Sequence, residues 1–199
     1  MVKKFLILTA LFGTLIPGKA QGGSQYIHKG LIAARGALCY GKMFDLKANN
    51  IYLDGNVEYY LDNKVSLRGD GYLFMNSFNG NKPLKIHHSL FAGPLYHFKT
   101  NISFDPYIGL QPGINLGEAV NATLGTPSYN TQILIAPPEE MEMVATPLIS
   151  PIIGFNFYGT KWFHIWCNLR YIQGRFLDNY NSASLSEFRV SFGLGFNIR

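Results

Sequence analysis

The chain has little charge and few cysteines for its length. Of its 199 residues only 15% are charged and two are cysteine, whereas 47% are hydrophobic and 15% are aromatic. This composition is too apolar for a disordered chain and low in charge for a soluble surface. Lys and Arg form no cluster or helical stripe, so the formal net charge of +5 does not indicate binding to nucleic acid. The length suits one domain.

Long apolar runs are also missing. After residue 20 no stretch approaches about 18 consecutive apolar residues, which excludes a helical membrane protein. The apolar run at residues 5–16 follows two lysines and ends in small residues, the pattern of a secretory signal peptide. We therefore expect a signal peptide at residues 1–20 and one mature domain at residues 21–199. An uncleaved anchor is the alternative, because Lys19 is an unusual residue beside the cut site.

The mature chain alternates with the period of a β-strand. Between residues 188 and 198 every second side chain is apolar, and the opposite face carries only polar residues and glycine. A helical arrangement would mix these two sets. Similar patterns predict eight strands, at residues 31–41, 51–61, 65–75, 89–98, 104–115, 148–158, 162–176 and 188–199.

The predicted connections alternate between short and long. The short ones are residues 62–64, 99–103 and 159–161; the long ones are residues 42–50, 76–88, 116–147 and 177–187. This alternation is typical of an antiparallel up-and-down transmembrane β-barrel of the outer membrane. It places both termini in the periplasm and the long loops outside the cell.

The polar face is expected to point into the barrel. It carries glycines among Tyr, Asn, Arg and Asp, namely Gly93, Gly109, Gly113, Gly154, Gly193 and Gly195. Small residues mixed with bulky polar ones suit the filled interior of an eight-stranded barrel. The apolar face should then meet lipid, with girdles formed by Tyr59, Tyr96, Phe98, Phe157, Phe163 and Phe176. Prolines at 94, 106, 112 and 151 predict bulges or shifted strand boundaries.

The sequence resembles the small outer-membrane β-barrel proteins of Gram-negative bacteria, the class of OmpX, OmpW and the OmpA membrane domain. The resemblance covers residues 31–199 and rests on the architecture together with the segments NIYLDG (50–55), SLFAGP (89–94), FDPYIG (104–109) and SFGLGF (191–196). It implies a barrel and no particular activity. The partners it implies are outer-membrane lipid and, during insertion, the barrel-assembly machinery. No cofactor is expected, and the surface partner of the loops stays open.

Charged residues on the inward face form the candidate site. They are Asp54, Glu58, Arg68, Asp70, Arg170 and Arg189. Buried charges must be paired, so we expect a salt-bridged network that fills the lumen. Acid–base chemistry by Asp54 and Glu58 is the weaker alternative, because no activated nucleophile is evident beside them.

Two classes of function follow. The first is a non-enzymatic barrel that serves envelope integrity, surface interaction through its loops, or limited passage of small solutes. The alternative is a small lipid-modifying or lipid-hydrolysing barrel enzyme, suggested by His87 and Ser89, which share a face but have no evident orienting carboxylate. Cys39 and Cys167 fall on the first and seventh strands, so both should be free thiols.

Overall fold

The computed structural model of the protein describes residues 26–78, 84–98, 103–119, 143–177 and 182–198. The predicted signal peptide lies outside these residues. The strands are β1 (Ile32–Met43), β2 (Asn49–Tyr60), β3 (Val65–Ser77), β4 (Leu84–His97), β5 (Phe104–Ala119), β6 (Val144–Tyr158), β7 (Phe163–Leu177), β8 (Ser182–Ser184) and β9 (Glu187–Asn197). Within the described parts of the chain, no helix is long and apolar enough to cross a membrane.

The strands form a closed barrel. Strands β1 to β7 pair antiparallel in chain order, β7 pairs with β9, and β9 pairs with β1 to complete the ring. The eight-stranded up-and-down barrel predicted from the alternation is therefore confirmed. β8 is a short addition that pairs only with the end of β7, at Arg175–Leu177, inside a segment predicted as loop.

Several strand boundaries differ from the prediction, and the largest differences lie at the end of the barrel that carries the long loops. β4 begins at Leu84 rather than at residue 89, and β5 continues to Ala119 rather than stopping at residue 115. Backbone pairing continues there beyond the strictly apolar band, so the pattern of side chains underestimates the length of the strands.

The prediction of bulges at the prolines is wrong. The register shifts at Ile51/Tyr52 and at Leu84/Ile86 instead. Pro94, Pro112 and Pro151 keep the register on both sides, with their side chains on the exposed face. A proline removes one ladder donor without adding a residue, so the strand can lose a hydrogen bond and keep its pairing.

Burial alternates along the strands, and the exposed positions carry most of the large apolar side chains. In β9, Arg189 and Ser191 are fully buried, whereas Phe192 and Leu194 are 59% and 49% exposed. The predicted assignment of inner and outer faces is therefore confirmed. Of the predicted girdle residues, Tyr59, Tyr96 and Phe98 are exposed and Phe157 and Phe163 are half-buried, while the side chain of Phe176 lies outside the described part.

Glycine on the inner face allows neighbouring strands and luminal side chains to approach its backbone closely. A Cβ atom added to Gly193 would lie 2.0 Å from the backbone oxygen of Gly36, and one added to Gly113 would lie 2.3 Å from a ring carbon of Phe91. Glycines that face outward behave differently. A Cβ atom on Gly55 would meet no atom within 4 Å, so the outer surface there is a shallow depression.

The two cysteines are free, as the strand order requires. Cys39 on β1 pairs with Ser191 of β9, and Cys167 on β7 pairs with Phe192 of the same strand, so β9 lies between the thiols. Cys39 is buried in the lumen and Cys167 is half-buried on the outer face. Two strands separated by a third are about 9–10 Å apart, too far for a disulfide.

The short β2–β3 turn is held by Asp62. Its Oδ1 atom accepts hydrogen bonds from the backbone N–H groups of Lys64 (2.6 Å) and Val65 (2.8 Å). These donors favour the charged carboxylate and lower the pKa of Asp62 below its usual value. The barrel end that carries this turn is called the turn end below, and the opposite end the loop end.

Candidate functional site

The structure places all six predicted charged residues inside the barrel, where each is at most 3% exposed. Asp54 and Glu58 come from β2, Arg68 and Asp70 from β3, Arg170 from β7 and Arg189 from β9. They do not form one network. The contacts divide them into three layers along the barrel axis, and Asp54 belongs to none of these by direct contact.

The middle layer is centred on Asp70. Its Oδ1 atom is 2.7 Å from both Nε and Nη2 of Arg68, and its Oδ2 atom is 3.0 Å from Nη2 of Arg170. Arg68 also donates to the hydroxyl of Tyr107 (2.9 Å), and Arg170 to Oε1 of Gln111 (2.7 Å). One carboxylate thus joins two guanidinium groups from opposite parts of the wall.

Aromatic rings shield the same two arginines. The Arg68 guanidinium carbon lies 5.1 Å from the ring centre of Trp166, and that of Arg170 lies 4.3 Å from the ring centre of Phe91. Such cation–π contacts are worth more in a desolvated interior than at a surface. They compensate in part for the single carboxylate that the two cations share.

The turn-end layer is centred on Glu58, whose charge partner is Arg35. The Arg35 guanidinium forms a short ion pair with one Glu58 oxygen, while the other accepts from Ser66 (2.6 Å) and lies 2.8 Å from Nε2 of His97. The second ring nitrogen of His97 is 2.9 Å from Oδ2 of Asp105. Because imidazole donates from both nitrogens only as the cation, this geometry balances two positive with two negative charges.

The loop-end layer joins Arg189 to Glu187, the first residue of β9. Arg189 donates from Nε to Glu187 Oε2 (2.7 Å) and from Nη1 to Ser89 Oγ (2.6 Å). Tyr52 donates to the other Glu187 oxygen (2.7 Å), and its ring centre lies 3.9 Å from the Arg189 guanidinium carbon. The sequence pattern predicts a loop at residues 177–187, but the alternation of β9 continues back to Glu187.

The structure places a carboxylate, that of Glu187, beside His87, where the sequence alone shows no orienting acid. His87 Nε2 lies 3.3 Å from Glu187 Oε2, so His87 is a buried lumen residue with an acidic neighbour. Ser89, however, is held by Arg189 rather than by His87. A serine nucleophile needs a base to take its proton. The contacts favour a structural polar cluster over a catalytic one.

Asp54 differs from every other carboxylate in the lumen. It is 1% exposed, and neither of its oxygens has a hydrogen-bond partner among the described residues. Its same-face neighbours on β2 are Tyr52 and Asn56, neither of which is a cation. The hydroxyl of Ser191 lies near the Asp54 carboxylate without a close hydrogen bond, and the amide of Asn168, also buried, has no partner among the described residues. Asp54 therefore forms no ion pair, and the arginines that act on its charge, Arg68 and Arg170, do so without direct contact.

Buried apolar side chains pack at both ends of the described lumen. At the loop end a buried cluster contains Met43, Leu84, Leu148, Ile172 and Leu185. At the turn end Leu31, Ala33 and Tyr60 form a second cluster, against which Ile27 of the N-terminal segment packs.

Metal binding finds no support in the described residues. No group of three or more His, Cys, Asp and Glu side chains there could hold an ion. His164 faces inward, and its Nε2 accepts a hydrogen bond from Arg35 Nε at 2.8 Å. That nitrogen is thus engaged by a cation.

Comparison with known proteins gives structural likenesses only. No protein-family model matches the chain, and no curated protein matches it. The Neisserial surface protein A structure superposes with a TM-score of 0.62 at 14% identity, covering 89% of this chain and 100% of that one. The N-terminal β-barrel domain of Pseudomonas aeruginosa OprF gives 0.58 at 15% identity, covering 86% and 100%. OprG from Pseudomonas aeruginosa gives 0.57 at 12% identity, covering 88% and 99%. The chain has the fold of these eight-stranded outer-membrane barrels.

Proposed function

We propose that this protein is a non-enzymatic barrel of the outer membrane that supports envelope integrity and makes surface contacts through its long loops. The observation that carries the proposal is the contrast between the two faces of the wall. Large apolar side chains are about half exposed around the barrel, among them Leu53, Leu73, Leu90, Ile153 and Leu194, while the charges are buried inside. A continuous apolar exterior of this kind suits lipid and is rare on soluble monomers.

The proposed orientation has both termini and the short turns in the periplasm, with the long loops outside the cell. β1 begins and β9 ends at the turn end, which supports this arrangement. The proposed partners are outer-membrane lipid and, during insertion, the barrel-assembly machinery. We expect the protein to fractionate with outer membranes and to migrate differently in detergent gels before and after heating. Recovery from the soluble periplasm would contradict the proposal.

A filled interior argues against bulk solute passage. Charged side chains pair within the lumen, and buried apolar clusters pack at both ends of its described part. We expect no steady conductance steps when the purified barrel is reconstituted in planar bilayers, with a general porin as positive control. Stable ohmic steps would instead favour the solute-passage role.

Lipid hydrolysis is the second candidate, because His87 lies beside Glu187 and shares a face with Ser89. The test is release of fatty acid from phospholipid and lipid A by wild-type protein and by Ser89→Ala. We expect no release above background from either. Release by the wild type that Ser89→Ala abolishes would make this barrel an enzyme.

A further inference from the structure

A groove lies at the turn end, between the N-terminal segment and the ends of β7 and β9. It has a volume of about 310 Å³ and is lined by Tyr26, His28, Leu31, Lys161, Trp162, Asn197 and Ile198. The luminal layers described above take no part in it. Its residues belong to the outer rim of the barrel.

The groove is built from fixed elements. The side-chain amide of Asn197 donates to the backbone oxygen of Lys161 (2.8 Å), and the Asn197 backbone N–H donates to that of Trp162 (2.9 Å). On the other side, Tyr26 stacks on Tyr158 with ring centres 5.2 Å apart. These contacts hold the two walls of the groove in place.

The groove is amphipathic. Trp162 and Ile198 are 60% and 67% exposed, and Trp162 stacks on the exposed ring of Phe196 with centres 6.1 Å apart. These side chains continue the apolar outer band of the barrel. Lys161 and His28, both exposed, form the polar part. Apolar and cationic groups therefore meet where the band ends, the depth at which lipid headgroups lie.

The exposed charge at the turn end is mostly positive. Among the described residues the turn end exposes Lys29, Lys64 and Lys161 but only one carboxylate, Asp62, which belongs to the β2–β3 turn. Lys161 forms no ion pair within the described chain. A basic rim beside an apolar surface attracts anionic lipid.

We propose that this groove binds the headgroup of an anionic phospholipid, with Lys161 facing the phosphate and Trp162 and Ile198 contacting the upper acyl chain. The site is selective for lipid charge and needs no opening of the lumen. This inference goes beyond the proposed function, because a barrel that serves envelope integrity and surface contacts does not need to prefer one lipid.

Trp162 reports on the groove directly. The chain has two tryptophans, and the other, Trp166, is fully buried in the lumen. The protein is reconstituted in mixtures of phosphatidylcholine and phosphatidylglycerol in which one lipid at a time carries bromine on its acyl chain. Bromine quenches tryptophan only at short range, so the two series compare how often each lipid occupies the groove. Trp162→Phe gives the background from Trp166.

We expect Trp162 to favour phosphatidylglycerol about fivefold, the effect of roughly one lysine near a lipid surface. Lys161→Gln should reduce the preference to less than twofold. The matched control, Lys64→Gln, removes an exposed turn-end lysine that does not line the groove, and should leave the preference unchanged. The wild-type preference should also fall at high salt. Equal quenching by both lipids would overturn the proposal, as would an equal loss in Lys64→Gln, since a diffuse basic rim would then explain the preference.

Discussion

The luminal carboxylates should differ sharply in their effect on stability, and Asp54 and Asp70 provide the test. Both are buried, and both lie on the inner face of neighbouring strands. Asp70 contacts Arg68 at 2.7 Å and Arg170 at 3.0 Å, whereas Asp54 has no partner among the described residues. The same isosteric change, Asp to Asn, can be made at each position.

Asp70→Asn would leave two guanidinium groups without their shared counter-charge. Removing one partner of a buried ion pair typically costs about 3–5 kcal/mol. Tyr107 and Gln111 still accept hydrogen bonds from the two arginines, and the new amide oxygen can accept one more. We therefore expect a loss of about 3 kcal/mol, at the lower end of that range.

Asp54→Asn breaks no ion pair, its amide can still interact with the Ser191 hydroxyl, and it removes the cost of burying a charge that has no ion-pair partner. We expect its free energy of unfolding to match the wild type within about 0.5 kcal/mol or to exceed it. The assay is urea unfolding in lipid vesicles, followed by the heat-dependent gel shift and by tryptophan emission. Equal losses in the two variants would refute the pairing described for the lumen, as would an unchanged Asp70→Asn.

Three further outcomes test the packing of the wall. Gly193→Ala, whose Cβ would lie 2.0 Å from a backbone oxygen, should cost about 1–3 kcal/mol in the same unfolding assay, whereas Gly55→Ala, with open space around it, should be neutral or slightly stabilising. Leu194→Arg on the outer face should cost about 2–4 kcal/mol in vesicles if it lies near the bilayer midplane; a negligible cost there would contradict the lipid-facing assignment. Mass spectrometry of unreduced protein alkylated in denaturant should find both Cys39 and Cys167 labelled, and an intramolecular bridge would refute the strand order.

Much of the barrel could be predicted from period alone. A side-chain period of two specifies which residues share a face, and glycine on the polar face indicates which face is inside. The partners of each charge were not predictable in the same way. They depend on how far each strand is staggered against its neighbours, and for Arg170 on which residue of β3 lies opposite across the lumen. Register and stagger follow from backbone pairing, which the sequence pattern does not report.

Two of these ion pairs could nevertheless be predicted from the sequence of a single strand. Residues i and i+2 of a strand share a face and are about 7 Å apart, within reach of an arginine. Arg68 with Asp70 and Glu187 with Arg189 are both such pairs, and both are closed by ion pairs at 2.7 Å.

Applied to Glu58 and Asp54, the same i±2 rule finds no cation on the strand that carries them. Glu58 has Asn56 and Tyr60 as its same-face neighbours, so its cation must come from another strand, and it does, as Arg35 of β1. Asp54 also lacks a cation at i±2, but the residue beside it on β1 is Ala37 and the one on β3 is Tyr72. The positions directly beside Asp54 on these three strands therefore offer no cation, and the arginines that act on it, Arg68 and Arg170, do so without an ion pair. The lack of an ion pair at Asp54 follows from the register of three adjacent strands, which makes neutralising this carboxylate a direct test of how the lumen is filled.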